Sequence, residues 1–385
     1  MIHRYSAFLL YFVFASSFAC GDDEGADVER QALEPAAPAD TDAPDAAAPD
    51  APDTDAPDAG ASNAADAPNA ADAAAPPAPP PQPPAVDTVS PGIPGVVAEG
   101  AVVEVIGEGF QGTEGPLGLP DSTFIFTETN ANRITRIAAD DSLSTYLENT
   151  NGSNGLAFDP EGRIVSVQTT PGLTQIGIIY PPGSEQVLTD NFEGLPYGRP
   201  NDLVIGTTGH LYFTEPGPNA AAGTTPPPPP LPPAVYHLPP GGEPARISDS
   251  IRRPNGIILS VDEATLYVNA TQGTSLIAFD VAADGTATNQ REFAAYDGVT
   301  TNADGTVASG ADGLAIDSEG RLYVATTIGV QVFDAAGTAL GTIPVSRAPQ
   351  NLAFAGPNKQ TLYIVGRGAA WKLQTLASGF LGRAK

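Results

Sequence analysis

The stretch DGLAIDSEGRLYVA, residues 312–325, sets two short apolar runs on either side of a turn made of Asp, Ser, Glu and Gly. Apolar residues alternating with small ones around a Gly-containing turn predict a β-hairpin. The hairpin phrase occurs six times: LGLPDSTFIFTET from Leu117, LAFDPEGRIVSVQT from Leu156, LVIGTTGHLYFTEP from Leu203, IILSVDEATLYVNAT from Ile257, LAIDSEGRLYVATT from Leu314 and LAFAGPNKQTLYIVG from Leu352. The starts are 39, 47, 54, 57 and 38 residues apart. Hairpins recurring at this period cannot bury both faces alone and stack around an axis. The fold class predicted is therefore all-β, a six-bladed β-propeller. No helical period of useful length occurs between residues 95 and 385.

Further strands complete the blades: RITRIAA from Arg133, QIGIIY from Gln175, AVYHLPP from Ala234, SLIAFDV from Ser275 and GVQVFDA from Gly329. AVVEVI, residues 101–106, has no blade of its own and is predicted to pair with the last blade around Ala370 and Leu373, closing the ring so that no edge stays open. Two irregular spacings have visible causes. The segment 217–233, GPNAAAGTTPPPPPLPP, must leave the sheet, because proline cannot donate to a ladder. The Gly-, Asp- and Thr-rich segment 295–311 reads as a long loop ending at Asp312.

Outside the repeats the composition changes. Residues 1–20 read as a secretion signal, with His3 and Arg4 ahead of an apolar run from Ala7 to Phe18 that is too short to span a bilayer. Cys20, the only cysteine, follows Ala19 at the end of that run, which resembles the lipobox of bacterial lipoproteins. Residues 21–94 are Ala, Asp and Pro with few large apolar side chains, the composition of a disordered, extended tether. From Gly21 to Asp72 fifteen acids face Arg30 alone, which accounts for half of the net charge of −28. The expected organisation is a lipoprotein-type signal at 1–20, a linker at 21–94 and the propeller at 95–385. The protein is expected to be exported and lipid-anchored through Cys20 to a bacterial membrane, with the propeller outside the cytosol. A monomer is expected, and the acidity argues against nucleic-acid binding.

An oxygen-bearing residue stands just ahead of every repeat: Glu114, Asn154, Asn201, Asn255, Asp312 and Gln350. Six such residues in one phase would converge on the propeller axis. Two carboxylates among neutral amides suit a hard divalent cation, Ca2+ first, with Zn2+ or Mn2+ as alternatives. His210 and His237 both lie in strand-like runs, so a histidine-ligated zinc site is not expected. The bland alternative is that these residues cap the turns that start the innermost strands.

The succession TEGPLG (113–118), NGLAFDPEGRI (154–164), RPNDLVIGTTGHLYFTEP (199–216), RPNGIILSVDEATLYV (253–268) and DGLAIDSEGRLYVA (312–325) resembles the gluconolactonase/regucalcin-like family. The resemblance implies a six-bladed propeller with one divalent cation on the axis and hydrolysis of lactones or related esters. It assigns metal binding to Glu114, Asn255 and Asp312, with Asn201 facing the substrate and reaching the metal as well. It matches Arg199 to a substrate-contacting arginine and Asn154 to a channel-facing amide. Asp312 would double as the proton acceptor for the attacking water. The segments TEPGPNAAAG and QTTPG depart from the family pattern at the pocket rim. Two other readings stay open: a non-catalytic surface propeller with a structural ion, and a phosphotriesterase or arylesterase using the same site.

Overall fold

Every hairpin phrase folds as the inner two strands of an antiparallel sheet, and the turn chemistry shows why. In the 312–325 stretch, Asp317 Oδ1 accepts the backbone N–H of Glu319 and of Arg321, both at 2.9 Å. Its Oδ2 accepts Arg321 Nε at 2.6 Å and the Tyr323 hydroxyl at 2.9 Å. One aspartate thus fixes the turn between Leu314–Ile316 and Leu322–Thr326. Asp159 repeats part of the device in the second hairpin, accepting Arg163 N at 2.8 Å and Arg163 Nε at 2.6 Å.

A computed structural model of the chain describes residues 85–217, 231–303 and 305–383. Among them are six sheets of four or five strands and two short two-stranded ribbons. The innermost strands are Thr113–Gly118, Ser153–Phe158, Leu203–Ile205, Pro254–Leu259, Leu314–Ile316 and Asn351–Ala355, defining blades 1 to 6. Helical turns are confined to two short 3-10 segments, Thr129–Ala131 and Pro357–Lys359. The third strands begin where the sequence places them, at Arg133, Gln175, Ala234, Ser275 and Gly329.

The cores lie between blades. One cluster joins blades 1 and 2 through Leu117, Ile134, Leu156 and Ile164. Others join blades 2 and 3, blades 3, 4 and 5, blades 5 and 6, and blades 6 and 1. Both faces of every blade are therefore used, which is why no single hairpin could be stable alone. At the seam between blades 1 and 6, Phe124 and Tyr363 stack with centroids 4.4 Å apart.

That seam is closed by two strands that precede blade 1. In blade 6 the strands Asn351–Ala355, Thr361–Gly366 and Ala369–Gln374 are followed by Val102–Glu108 and, outermost, Ala85–Val89. Glu104 pairs with Lys372 and Val105 with Trp371, in the region the sequence indicates. Ala85–Val89 corrects the boundary drawn at residue 95. It sits in a stretch read as linker, yet it pairs antiparallel with Val102–Glu108, from Ala85 opposite Val105 to Val89 opposite Val102, with one irregularity at Asp87. As an outer edge strand it buries little, so composition alone could not separate it from a tether. The signal, Cys20 and the tether up to residue 84 lie outside the described residues, as does most of the proline-rich insertion, residues 218–230. The strands flanking that insertion pair with each other, Glu215 opposite Ala234, so it is an excursion within blade 3. The 295–311 segment carries one two-stranded ribbon, Thr300–Thr301 with Val307–Ala308.

The C-terminal tail crosses the turn end of the inner strands. Ser318 N donates to Ser378 O at 2.8 Å and Phe380 N to Ile316 O at 3.2 Å. Lys359 Nζ donates to Phe380 O at 2.8 Å and also to Arg383 O. A cavity of about 520 Å³ at this end is lined by Gly118, Ala157, Val204, Lys359 and Arg383. It lies at the opposite end of the inner strands from the oxygen-bearing residues.

Candidate active site

A ring residue lies within two positions of the start of each inner strand, and the backbone beside it is tied to the neighbouring blade. Thr127 Oγ1 of blade 1 donates to Asn154 O at 3.1 Å, and Gly155 N of blade 2 to Asn201 O at 3.0 Å. Thr214 Oγ1 of blade 3 donates to Asn255 O at 2.6 Å. Asp312 O accepts twice from blade 4, from Gly256 N at 3.0 Å and from Asn269 Nδ2 at 2.6 Å. Gly313 N of blade 5 donates to Gln350 O at 2.7 Å. The circle closes where Gln350 Nε2 and Asn351 Nδ2 of blade 6 donate to the two Glu114 carboxylate oxygens, at 3.0 and 3.4 Å.

In blades 1, 2, 4 and 5 this spacing requires glycine after the ring residue. A Cβ at position 115 would sit 2.0 Å from Asn154 O, and one at 256 would sit 2.2 Å from Asp312 O. With the carbonyls turned to the neighbouring blade, strand alternation aims the ring side chains at the axis. The charges agree. Asp312 of blade 5 senses Glu114 of blade 1, Asp202 and Arg199 of blade 3, and Arg367 of blade 6. Only the axis brings those four blades together.

Several atoms on this axis are left without protein partners. Asn154 Oδ1 and Nδ2, Asn255 Oδ1 and Asp312 Oδ1 are buried and unpaired. Asn255 Nδ2 is held by Thr271 Oγ1 at 3.1 Å, which orients its free oxygen. Unpaired buried polar atoms are rare and mark either a strain reservoir or a ligand position. Burial pushes the Asp312 carboxyl well above the usual carboxylate range, and the Glu114 charge pushes it further, against a counter-pull from Arg367 and Arg199. Among the described residues no three His, Cys, Asp or Glu are grouped to hold a metal ion, since this donor set is mostly amide. Two carboxylates with unpaired amide oxygens fit a hard cation better than zinc. His210 and His237 are engaged with each other, Nδ1 to Nε2 at 2.9 Å, beside Gly285 at the turn end of blade 3.

All six ring residues are thus brought together, but Gln350 differs from the rest. Its amide holds Glu114, and its Oε1 accepts Arg367 N at 2.7 Å. It is a holder of a ring carboxylate. Arg199, two residues before Asn201, lies within electrostatic reach of Asp312.

The structure also adds residues that sequence reasoning missed. Asp202 is a third buried carboxylate near the axis, with Oδ1 accepting Leu203 N at 2.9 Å. Asn269 grips the Asp312 carbonyl while its own Oδ1 accepts the Tyr296 hydroxyl at 2.7 Å. Glu215 is fully buried and accepts Arg199 N with both oxygens, at 2.9 and 3.0 Å, which fixes the Arg-Pro-Asn turn. Burial pushes its carboxyl up to about 7. Glu128 holds Gln111 N at 2.9 Å from the same place in blade 1. The available signal was a polar residue at the end of the second strand in FTE (126–128), LYFTE (211–215) and LYVNA (266–270).

The fold and site define a six-bladed propeller whose inner strands carry oxygen-bearing side chains at one end. Within it, residues 113–367 match the SMP-30/gluconolactonase/LRE-like region, and the chain belongs to that family. It is 27% identical over 282 residues to a gluconolactonase of Zymomonas mobilis, covering 68% of this chain and 78% of that one. A lactonohydrolase of Aspergillus oryzae is 28% identical over 173 residues, 38% of this chain and 34% of the fungal one. Among solved structures, a gluconolactonase of Xanthomonas campestris superposes with a TM-score of 0.63 at 27% identity, over 76% of this chain and 99% of that one.

Proposed function

We propose that the protein is a metal-dependent lactonase, opening a lactone ring with a divalent cation, Ca2+ in the first place, held by Glu114, Asn201, Asn255 and Asp312. The observation that carries this reading is the set of buried, unpartnered polar atoms that Asn154, Asn255 and Asp312 present to one axis. The family to which the chain belongs, with gluconolactonases among the relatives it matches, supports the lactone as substrate.

A bound divalent cation would polarise the lactone carbonyl and stabilise negative charge on its oxygen. The residues do the rest. Asp312 Oδ1, ionised when a cation neutralises its neighbourhood, accepts a proton from water as the water oxygen bonds to the carbonyl carbon. The ring C–O bond then breaks, and the leaving alkoxide takes the proton that Asp312 accepted, giving a hydroxy acid and restoring the carboxylate. Asn154, buried and unpaired on both side-chain atoms, can donate to one ring hydroxyl and accept from another. Arg199 and Asn201 orient the hydroxyls and the new carboxylate. Asn269 and Gly256 keep Asp312 in place through its carbonyl. Export and a lipid anchor at Cys20 remain part of this proposal, and Cys20→Ser should release the protein from the membrane fraction.

The test is hydrolysis of sugar lactones, aryl esters and phosphotriesters by the purified protein with Ca2+, Zn2+ or Mn2+, and after chelation. Sugar lactones should be opened with Ca2+, the activity should vanish with chelator and return with added cation. No hydrolysis of any lactone with any of the three metals would refute the proposal. Turnover confined to phosphotriesters or aryl esters would move it to that reaction class.

A further inference from the structure

The position two residues before each ring residue is occupied by Gly112, Gly152, Arg199, Arg253, Gly310 and Ala348 in blades 1 to 6. Four blades thus keep this position small, and the adjacent blades 3 and 4 place an arginine there. In blades 1, 2, 4 and 5 the backbone at this position is left-handed, with φ of +76°, +64°, +56° and +61°. Glycine answers that demand in blades 1, 2 and 5. In blade 4 the residue is Arg253, although a side chain bearing a Cβ is disfavoured in this conformation.

Blade 6 repeats the choice. Arg367 and Gly368 form the turn between Thr361–Gly366 and Ala369–Gln374, with φ of +50° and +78°. The first place of such a turn suits Asn, Asp or Gly. Arg367 occupies it, and its backbone N–H is held by ring residue Gln350. Two arginines therefore stand in left-handed backbone beside the same axis, and residues kept against local preference point to a role for their side chains.

We propose that Arg253 and Arg367, together with Arg199, form an anion subsite at the mouth of the axial site, so that the molecule bound there carries a carboxylate or phosphate group apart from the bond that is opened. Blade 6 lies across the ring from blade 3, so the three arginines approach the mouth from opposite sides. The charge balance supports the subsite. The chain has only 17 Lys and Arg against a net charge of −28, yet three arginines gather here. Arg253 is partly buried, and its guanidinium is held below its usual range by burial and then by repulsion from Arg199, with Asp312 pulling the other way. A divalent cation at Glu114 and Asp312 would offset their negative charges, so that the three arginines would dominate the charge at the mouth. A planar guanidinium pair is suited to carboxylate or phosphate oxygens, which it binds bidentately.

The subsite rests on the lactonase reading only for the presence of the cation, and binding alone tests it. Titration calorimetry on the Ca2+-loaded protein would use gluconate, glucarate and 6-phosphogluconate, hydroxy acids that differ in the group at the far carbon. Wild type should bind glucarate or 6-phosphogluconate at least about tenfold more tightly than gluconate, the scale of a charge-assisted hydrogen bond. Whichever acid is preferred identifies the group recognised. Arg253→Gly and Arg367→Asn should each erase most of that preference while leaving Tm unchanged or higher, because both substitutions suit the backbone. Arg253→Lys should keep part of it. The proposal is overturned if wild type shows no preference, if both variants keep it, or if Arg253→Gly lowers Tm by more than about 5 °C, which would make Arg253 a structural residue. Preference retained in a protein that opens no lactone would sink the enzymatic reading and support the subsite.

Discussion

Replacing Asp312 by Asn should make the metal-free protein more stable and at the same time remove most of its response to Ca2+. In the native fold Asp312 Oδ1 is buried with no hydrogen-bond partner, and the Glu114 carboxylate faces it across the axis. An unpaired buried charge beside a like charge costs more than an unpaired neutral amide, by about 1–3 kcal/mol, and Asn keeps the shape while removing only the charge. For a domain of this size 1 kcal/mol moves Tm by about 2 °C. Metal-free D312N should therefore melt about 2–6 °C above wild type. In wild type, Ca2+ at a hundred times its Kd should add about 2.7 kcal/mol, or about 5 °C. If the lost ligand charge weakens affinity a hundredfold, the same Ca2+ adds only about 0.4 kcal/mol, within the error of a melt. Differential scanning calorimetry on chelator-treated protein, with Ca2+ then titrated in, reads both effects. A variant that melts below wild type without metal, or keeps the full Ca2+ shift, would refute the reasoning.

Gly256→Ala places a Cβ 2.2 Å from Asp312 O and 2.8 Å from Gly313 Cα, so blades 4 and 5 must separate. A loss of at least about 2 kcal/mol is expected, read as a fall in Tm. Glu215 has its folded value raised from 4.5 to about 7 by burial, so the native state holds the extra proton in that window. Stability from this group is therefore present below pH 4.5 and is lost as pH rises towards 7, by about 3 kcal/mol. Glu215→Gln should flatten the slope of denaturation free energy against pH across that range, and an unchanged slope would show that the charge is not carried there.

Much of the fold was legible because blades repeat in register. The six hairpins and the third strands follow from apolar alternation and turn residues, which are local signals, and the pairing of 101–106 with the last blade near Ala370 and Leu373 follows from the open edge those strands would otherwise leave. The phase of Glu114, Asn154, Asn201, Asn255, Asp312 and Gln350 is equally local, so the ring could be read before any contact was known. What could not be read were bonds between repeats. Nothing around Asn269 says that its amide grips a carbonyl 43 residues away, and nothing in LYFTE (211–215) separates a buried Glu215 from a surface glutamate. Gln350 shows the limit from the other side: its position in the ring was visible, but its engagement with Glu114 depends on ring closure. The strand Ala85–Val89 escaped because an exposed edge strand needs no apolar alternation to hold its place. The tail that crosses the far end of the axis uses backbone groups, Ser378 O and Phe380 N, which carry no sequence signature.

The seam that closes the ring also sets an order of assembly. Glu104 must find Lys372, 268 residues further along, so Val102–Glu108 leaves the ribosome long before its partner exists. Blades 1 to 5 are each built from consecutive hairpins and can form as their residues appear. Blade 6 cannot, and until it does, Phe124 and the rest of the blade 1 face lack Tyr363 to pack against. Long-range pairing of this kind slows folding and leaves a strand edge and apolar surface exposed in the meantime. Glu114 is in the first blade made, and Gln350 and Asn351, which donate to its carboxylate, are in the last. The axial site is therefore completed only at the final step of folding, and a ring caught open would carry five of its six blades with no competent centre.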